Sequence, residues 1–246
     1  MGRGGQAPEG VQVNDQIRVR ADPVIPRLIP ILQAVRDRRP CIVEVGMHWG
    51  SSTAMLLAGC QLPPFYYGFE CDPRNVSILK EAGFDPFPFA VSDKRGTAML
   101  NLCGGNDPQG RPHLASSSIQ EPTLHREAFP WCTFDQKIEV QTITLDEVLN
   151  TEPVIDVIWC DCQGAQRKVL DGAKETLAKT RYLYIEVHPT PLYEDEPTFE
   201  ELVLMLGPGW EVVERYEADV LFCNWNMMMD EKVMARLVGG SKNSVE

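Results

Sequence analysis

The strongest constraint on how this chain folds is a repeated beat: a short apolar run, a tight turn, then a stretch with helical period. Val154 to Cys160 reads as one apolar run of strand length, as expected of a strand buried on both faces. The beat begins earlier. Cys41–Val45 reads as a strand, Gly46 as the turn and Ser51–Gly59 as a helix, and then Phe65–Phe69 as a strand and Pro73–Ala82 as a helix. Pro88–Val91 is the third strand of the series, and after Cys160 come a helix over Gly164–Ala178 and a strand over Tyr182–Val187. Strands alternating with helices at this spacing imply βαβ units and a doubly wound, mostly parallel α/β sheet. Ahead of them, Ile25, Leu28, Ile29, Leu32 and Val35 repeat with helical period over Pro23–Asp37, where Pro26 and Pro30 are expected to bend or interrupt the helix.

The last third changes character. A helix over Phe199–Leu206 is followed by strands at Trp210–Tyr216 and Asp219–Trp225, so close together that only an antiparallel hairpin can join them. The Met227–Met229 run beyond is expected to pack in the core or act as a lid. Between residues 96 and 146 the βαβ rhythm breaks: Thr97–Leu102 and Ile138–Thr144 alternate like paired strands, and Gly104–Pro112 is expected to be a mobile loop. The expected organisation is a flexible tail over 1–22 and a single domain over 23–246 carrying an insertion at about 96–146 that shapes the substrate pocket.

Charge narrows the partners. Against 23 Lys and Arg stand 35 Asp and Glu, a net charge of −12, which repels nucleic-acid phosphates and anionic lipid surfaces. A small acceptor is expected, with neither nucleic acid nor membrane as partner; the oligomeric state is not legible. No apolar run approaches the ~20 residues that span a bilayer. The eight cysteines are scattered among apolar segments without CxxC spacing, and Cys160 and Cys162 are expected to point to opposite faces of their strand. Buried free thiols imply a reducing compartment, hence a cytoplasmic protein.

In open α/β sheets ligands bind beyond the carboxyl ends of the strands, where strand order reverses, so the polar residues at those ends are the candidates. The first strand supplies Glu44, Gly46, His48 and Gly50, with Ser51 opening a helix whose N-terminus offers free N–H groups. The second ends in Glu70, placed about 20 residues after the glycine turn to accept the hydroxyl hydrogens of a ribose. The third ends in Ser92 and Asp93, the next in Asp161, and the last parallel strand in Glu186 and His188.

These segments resemble the FkbM-type S-adenosylmethionine-dependent methyltransferases over about Cys41–Val187. The resemblance is carried by the glycine turn and by Phe69-Glu-x-x-Pro73 and Ala90-Val-Ser-Asp93. Further along come a Ser-Ser pair near Ser117, Thr144-Leu-Asp146, Asp161-Cys-Gln-Gly-Ala165, Val169-Leu-Asp-Gly-Ala173 and Glu186. It implies a class I methyltransferase (Rossmann-like) fold with a seven-stranded sheet and a C-terminal antiparallel hairpin. It also implies S-adenosylmethionine as cofactor and methyl transfer to an oxygen of a natural product or sugar, a hydroxyl or a carboxylate. Glu44, Gly46, His48, Gly50, Ser51, Glu70, Ser92, Asp93 and Asp161 are then the cofactor-binding candidates. The chain departs from the family pattern at His48, where the middle glycine would stand, and at Gln163 and Gln166, which replace glutamates.

Transfer to a hydroxyl requires its proton to be removed. His188 is the favoured base because its ordinary titration range spans neutrality, and Asp161 is the second catalytic candidate. A metal-free route ranks above one in which Asp161, Glu186 and His188 gather a divalent ion. Two other functions fit less well. A catalytically silent S-adenosylmethionine-binding module draws only on the Gln163 and Gln166 replacements. A dinucleotide-dependent oxidoreductase lacks the GxGxxG spacing that seats a pyrophosphate.

Overall fold

A computed structural model describes residues 22–228. The 1–21 part of the expected tail and Met229 lie outside the described residues. In chain order the elements are α1 (Ile25–Ala34), β1 (Cys41–Val45), α2 (Ser51–Gly59), β2 (Phe65–Phe69), α3 (Pro73–Glu81), β3 (Ala90–Val91), β4 (Gly96–Gly105), α4 (His125–Ala128) and β5 (Cys132–Ile143). They continue with α5 (Leu145–Val148), β6 (Ile155–Cys160), α6 (Gln166–Asp171), α7 (Lys174–Ala178), β7 (Thr180–Glu186), α8 (Phe199–Leu206), β8 (Trp210–Arg215) and β9 (Asp219–Asn224).

The main sheet runs β2-β1-β6-β7-β9-β8. The first four are parallel; β9 lies antiparallel to β7, and β8 antiparallel to β9. The expected terminal hairpin is therefore present, but among the described residues the sheet has six strands rather than seven. The missing edge is explained by proline. Phe87 donates its N–H to the Gly68 carbonyl at 2.8 Å and accepts from the Glu70 N–H at 3.1 Å, a single bridge to β2. Pro86 and Pro88 flank it, and neither has an N–H with which to extend a ladder. The chain leaves, and β3 instead pairs parallel with β5 in a second sheet of order β3-β5-β4.

Alternation along the central strands feeds two cores. Val43, Val45, Ile158, Cys160, Leu183 and Ile185 pack on one face, while Ile42, Val157, Trp159 and Tyr184 meet α1 and α2 on the other. Helix α1 runs unbroken through Pro30; Pro26 sits in the first turn, so its absent N–H costs nothing there. The long helix expected over 164–178 is two short ones. Gly172 is wedged against β3, where an added Cβ would stand 2.1 Å from the Ser92 carbonyl oxygen, and Asp146 accepts the N–H groups of Glu175 and Thr176 to start α7. The expected paired strands of the insertion are β4 and β5. Gly104–Pro112 is a closed turn rather than a free loop: Gly104 and Gly105 remain in β4, and Asp107 accepts from the Gln109 and Arg111 N–H groups. Cys160 and Cys162 also depart from expectation, with sulfurs 3.6 Å apart, because residues two apart on an extended chain share a side. All eight cysteines are free.

Within the apolar run of β6, Asp156 is fully buried at the edge of the sheet opposite the strands' carboxyl ends. It takes two bonds from Arg38 at 2.7 Å each, one from Arg181 at 3.0 Å and the Cys41 N–H at 2.8 Å. Removing a buried partner leaves the others unpaired, at a cost near the lower end of the 3–5 kcal/mol range because both arginines reach solvent. Asp156→Ala is expected to lose about 3 kcal/mol in urea unfolding; a loss below about 1 kcal/mol, the scale of an exposed pair, would contradict this assignment.

Candidate active site

Strand order reverses between β1 and β6, where β1 turns toward β2 and β6 toward β7. At the carboxyl end of β1 the backbone leaves no room for a side chain. A Cβ on Gly46, which adopts φ 87°, would stand 1.8 Å from the Asp161 carbonyl oxygen. His48 holds the left-handed conformation of the glycine it replaces, with φ 51°, a region His tolerates better than most residues. Its ring stacks on Trp49, its N–H donates to Glu70 Oε2 at 2.8 Å, and its buried Nε2 has no hydrogen-bond partner among the described residues. Glu70 also accepts the Asp72 N–H at Oε1, 2.8 Å, so one carboxylate ties the turn after β1 to the end of β2. Burial pushes its carboxyl up to about 7 despite these donors.

Beside this turn opens a cavity. Gly46, His48 and Glu70 form one end, Phe89, Ala90 and Val91 an apolar wall, and Asp161, Cys162 and Gln163 the side toward β6. The remaining wall is the insertion itself, residues 114–119. Asn75 donates to the Leu114 carbonyl at 3.1 Å, and the Ser117 hydroxyl donates to fully buried Asp72 at 2.8 Å. Arg74 clamps the same Asp72 and the Cys103 carbonyl. The segment expected to shape only the acceptor pocket thus encloses this cavity.

A polar chain leads away from the cavity toward β7. Gln163, itself left-handed at φ 51°, donates its amide to Asp161 Oδ1 at 2.6 Å and to both Glu186 oxygens at 3.0 and 3.1 Å, and accepts the Tyr193 hydroxyl at 2.9 Å. Beyond Glu186, His188 places Nε2 3.6 Å from Glu186 Oε1 and Nδ1 2.7 Å from Glu196 Oε1. Burial raises the Asp161 carboxyl, and burial together with the nearby Asp161 charge raises Glu186 well above the ordinary range.

Of the residues expected at the cofactor, Gly46, His48, Glu70 and Asp161 line the cavity. Glu44, Gly50, Ser51, Ser92 and Asp93 do not. Glu44 lies buried beneath α2, accepting the Thr53 and Tyr66 hydroxyls, which is where alternation along β1 turns it. Gly50 serves as the left-handed cap of α2, which Ser51 opens. Ser92 bonds its own neighbour, exposed Asp93, because β3 has carried both toward the second sheet. His188 stands off the cavity at the far end of the Gln163–Glu186 chain. The sequence candidates omit Asp72, Tyr193 and Glu196. The Tyr193 hydroxyl meets Ser116 and Gln163 from far along the chain, whereas Asp72 caps α3 ahead of Pro73 and Glu196 meets His188, Leu192 and Tyr193 close by in sequence, so those two carried a local signal.

Residues 44–217 match the family described as the methyltransferase FkbM domain. The chain belongs to this family. It is 34% identical over 208 residues to the 2-O-methyltransferase NoeI of Sinorhizobium fredii NGR234, covering 79% of this chain and 83% of that protein. Among solved structures it is similar to magnesium protoporphyrin IX methyltransferase (ChlM) from Synechocystis PCC 6803 with bound SAM, at a TM-score of 0.41, 10% identity, and 81% and 76% coverage of the two chains. It is also similar to an rRNA methylase from Streptococcus thermophilus, at a TM-score of 0.40, 12% identity, and 83% and 96% coverage. As a member of the FkbM family, the chain is an S-adenosylmethionine-dependent O-methyltransferase. The cavity suits that cofactor: a glycine cradle that a Cβ would fill, a buried carboxylate able to accept hydroxyl hydrogens, and an unpartnered imidazole nitrogen.

Glu70 offers a test with a defined sign. A carboxyl raised to about 7 destabilises the fold as pH climbs through that value, since burial opposes its ionisation. Ligand hydroxyls favour the ionised form, so affinity for S-adenosylhomocysteine is expected to rise between about pH 6 and 8. Glu70→Gln should weaken binding by about 1–3 kcal/mol at pH 8 and flatten that rise. Titration calorimetry reads both, and unchanged affinity would remove Glu70 from the cofactor site.

Proposed function

We propose that the enzyme methylates a hydroxyl of a small, polyhydroxylated acceptor such as a sugar or natural product, with His188 as the base. What supports this reading is the row of hydrogen-bond acceptors, Asp161, Glu186 and His188, leading from the cavity along the carboxyl edge of the sheet. Such groups suit a molecule that presents many O–H donors. The 2-O-methyltransferase relative points to a hydroxyl rather than a carboxylate. The net charge of −12 favours a small acceptor over a nucleic acid or a membrane surface. Among the described residues no helix is long and apolar enough to cross a membrane. Free thiols throughout support a cytoplasmic setting, and residues 23–246 are taken as one domain with its insertion.

In this mechanism Glu70 accepts ribose hydroxyls, and His48 offers its buried nitrogen at the same end of the cavity. Gly46 brings the backbone close, and Asp161 faces the cationic end of the cofactor. Bound S-adenosylmethionine supplies an electrophilic methyl group. Glu186 and Gln163 orient the acceptor, and His188 takes its proton as the oxygen becomes the nucleophile. Insertion residues 114–119 exclude water from one side.

Radiolabelled methyl transfer into a panel of glycosides and hydroxylated metabolites is expected to label a hydroxyl. His188→Gln should lower that rate by about 10²–10⁴-fold while S-adenosylhomocysteine binds as before. A variant with unchanged rate would move the base to Asp161 or to an acceptor that needs none.

A further inference from the structure

We propose that Glu196 is the positioning residue of the base: its buried carboxylate holds His188 by Nδ1 and so leaves Nε2 as the nitrogen that receives the proton. The proposal rests on the reading of His188 as base. Glu196 follows β7 by ten residues, in the turn before α8, and is only 5% exposed. Its Oε2 is fixed by two backbone donors, the N–H of Leu192 at 2.7 Å and of Tyr193 at 3.1 Å. Its Oε1 lies 2.7 Å from His188 Nδ1. Burial alone would raise this carboxyl, but the His188 contact and the two N–H donors outweigh burial and hold it below the ordinary range.

An ionised carboxylate has only acceptor sites, so the hydrogen in the Oε1–Nδ1 contact belongs to the ring. A neutral imidazole with its hydrogen on Nδ1 has its lone pair on Nε2. That nitrogen faces Glu186 at 3.6 Å, beyond hydrogen-bond length, and is free to take a proton. In the step this serves, the acceptor O–H bond breaks and its proton passes to Nε2. The oxygen forms the new bond to the methyl carbon, and the electron pair of the broken carbon–sulfur bond stays on sulfur. Glu196 takes no proton; it stabilises the imidazolium and keeps the ring from turning over.

Glu196 is one of several charged or titratable groups around the ring. Glu186 stands on β7, Asp161 follows β6, Asp219 opens β9, and His125 lies on α4. Only Glu196 meets the ring at hydrogen-bond distance. Removing its acceptor should therefore release the ring's tautomer while the other carboxylates remain.

The test is nitrogen–proton correlation of the histidine side chains in the full chain saturated with S-adenosylhomocysteine, with His188 assigned by its loss in His188→Gln. Where its ring is neutral, wild-type His188 is expected as the Nδ1–H tautomer. In Glu196→Leu, which offers Nδ1–H no acceptor, the Nε2–H tautomer should gain population, with S-adenosylhomocysteine affinity within about twofold. Glu196→Gln, which keeps an amide oxygen to accept from Nδ1–H, should restore the wild-type tautomer. An Nε2–H tautomer in the wild type, or an unchanged tautomer in folded Glu196→Leu, overturns the proposal. Should that variant fail to bind S-adenosylhomocysteine, the wild-type tautomer decides. The base reading fails separately: full turnover in His188→Gln removes it whatever the tautomer, whereas lost turnover in that variant with an unchanged tautomer in Glu196→Leu removes only the role of Glu196.

Discussion

A single buried carboxylate holds together the part of this protein that matters most. Glu70 accepts one backbone N–H from the turn after β1 and another from the start of α3, and those two bonds set the shape of the cavity's end. The neighbouring constraint is steric. Gly46 lets β1 and β6 converge until a carbonyl oxygen occupies the place of a side chain, and the strand order reverses at that point. Left-handed His48 is affordable in this setting because its N–H is fixed by Glu70 and its ring is supported by Trp49. The buried acid is costly to ionise, and a bound ligand that donates hydroxyl hydrogens to it offsets that cost.

The parts of this arrangement made by neighbouring residues were legible in the sequence. The strand–turn–helix from Cys41 to Gly59, Glu70 at the end of β2, Asp161 at the end of β6 and the terminal hairpin all follow from apolar periodicity and turn chemistry. The loss of the seventh strand was written in Pro86 and Pro88, but its consequence depends on where β5 offers a new partner. The break at Gly172 depends on the approach of Ser92, and the cavity wall at 114–119 on Asp72 and Asn75, contacts between distant segments that no local pattern announces. Glu196 escaped notice for a different reason: its partners His188, Leu192 and Tyr193 are near in sequence, but the irregular turn that brings them together has no apolar period to read. The misplacement of Cys162 was instead an error of period.

The two glutamines acquire a physical role. Gln163 donates its amide N–H groups to Asp161 and Glu186 at once, whereas a glutamate at this position would have at most one O–H to donate, and only when protonated. Gln166 is fully buried with its amide 3.5 Å from Glu186 and its Oε1 unpartnered. Carboxylates at both positions would crowd further negative charge around two acids whose ionisation burial already opposes. The replacements keep the network hydrogen-bonded with less charge, so they are compatible with an active enzyme.

The central claim is that the cofactor occupies the cavity between the Gly46 turn, Glu70, Asp161 and the wall at 114–119. Amide hydrogen exchange of the full chain, with and without S-adenosylhomocysteine, tests this most directly. Slowed exchange is expected over residues 46–50, 70–75, 114–119 and 161–165 together, with β8 and α8 unchanged. Protection confined to other segments, or absent from 114–119 while the ligand is bound, would contradict the account.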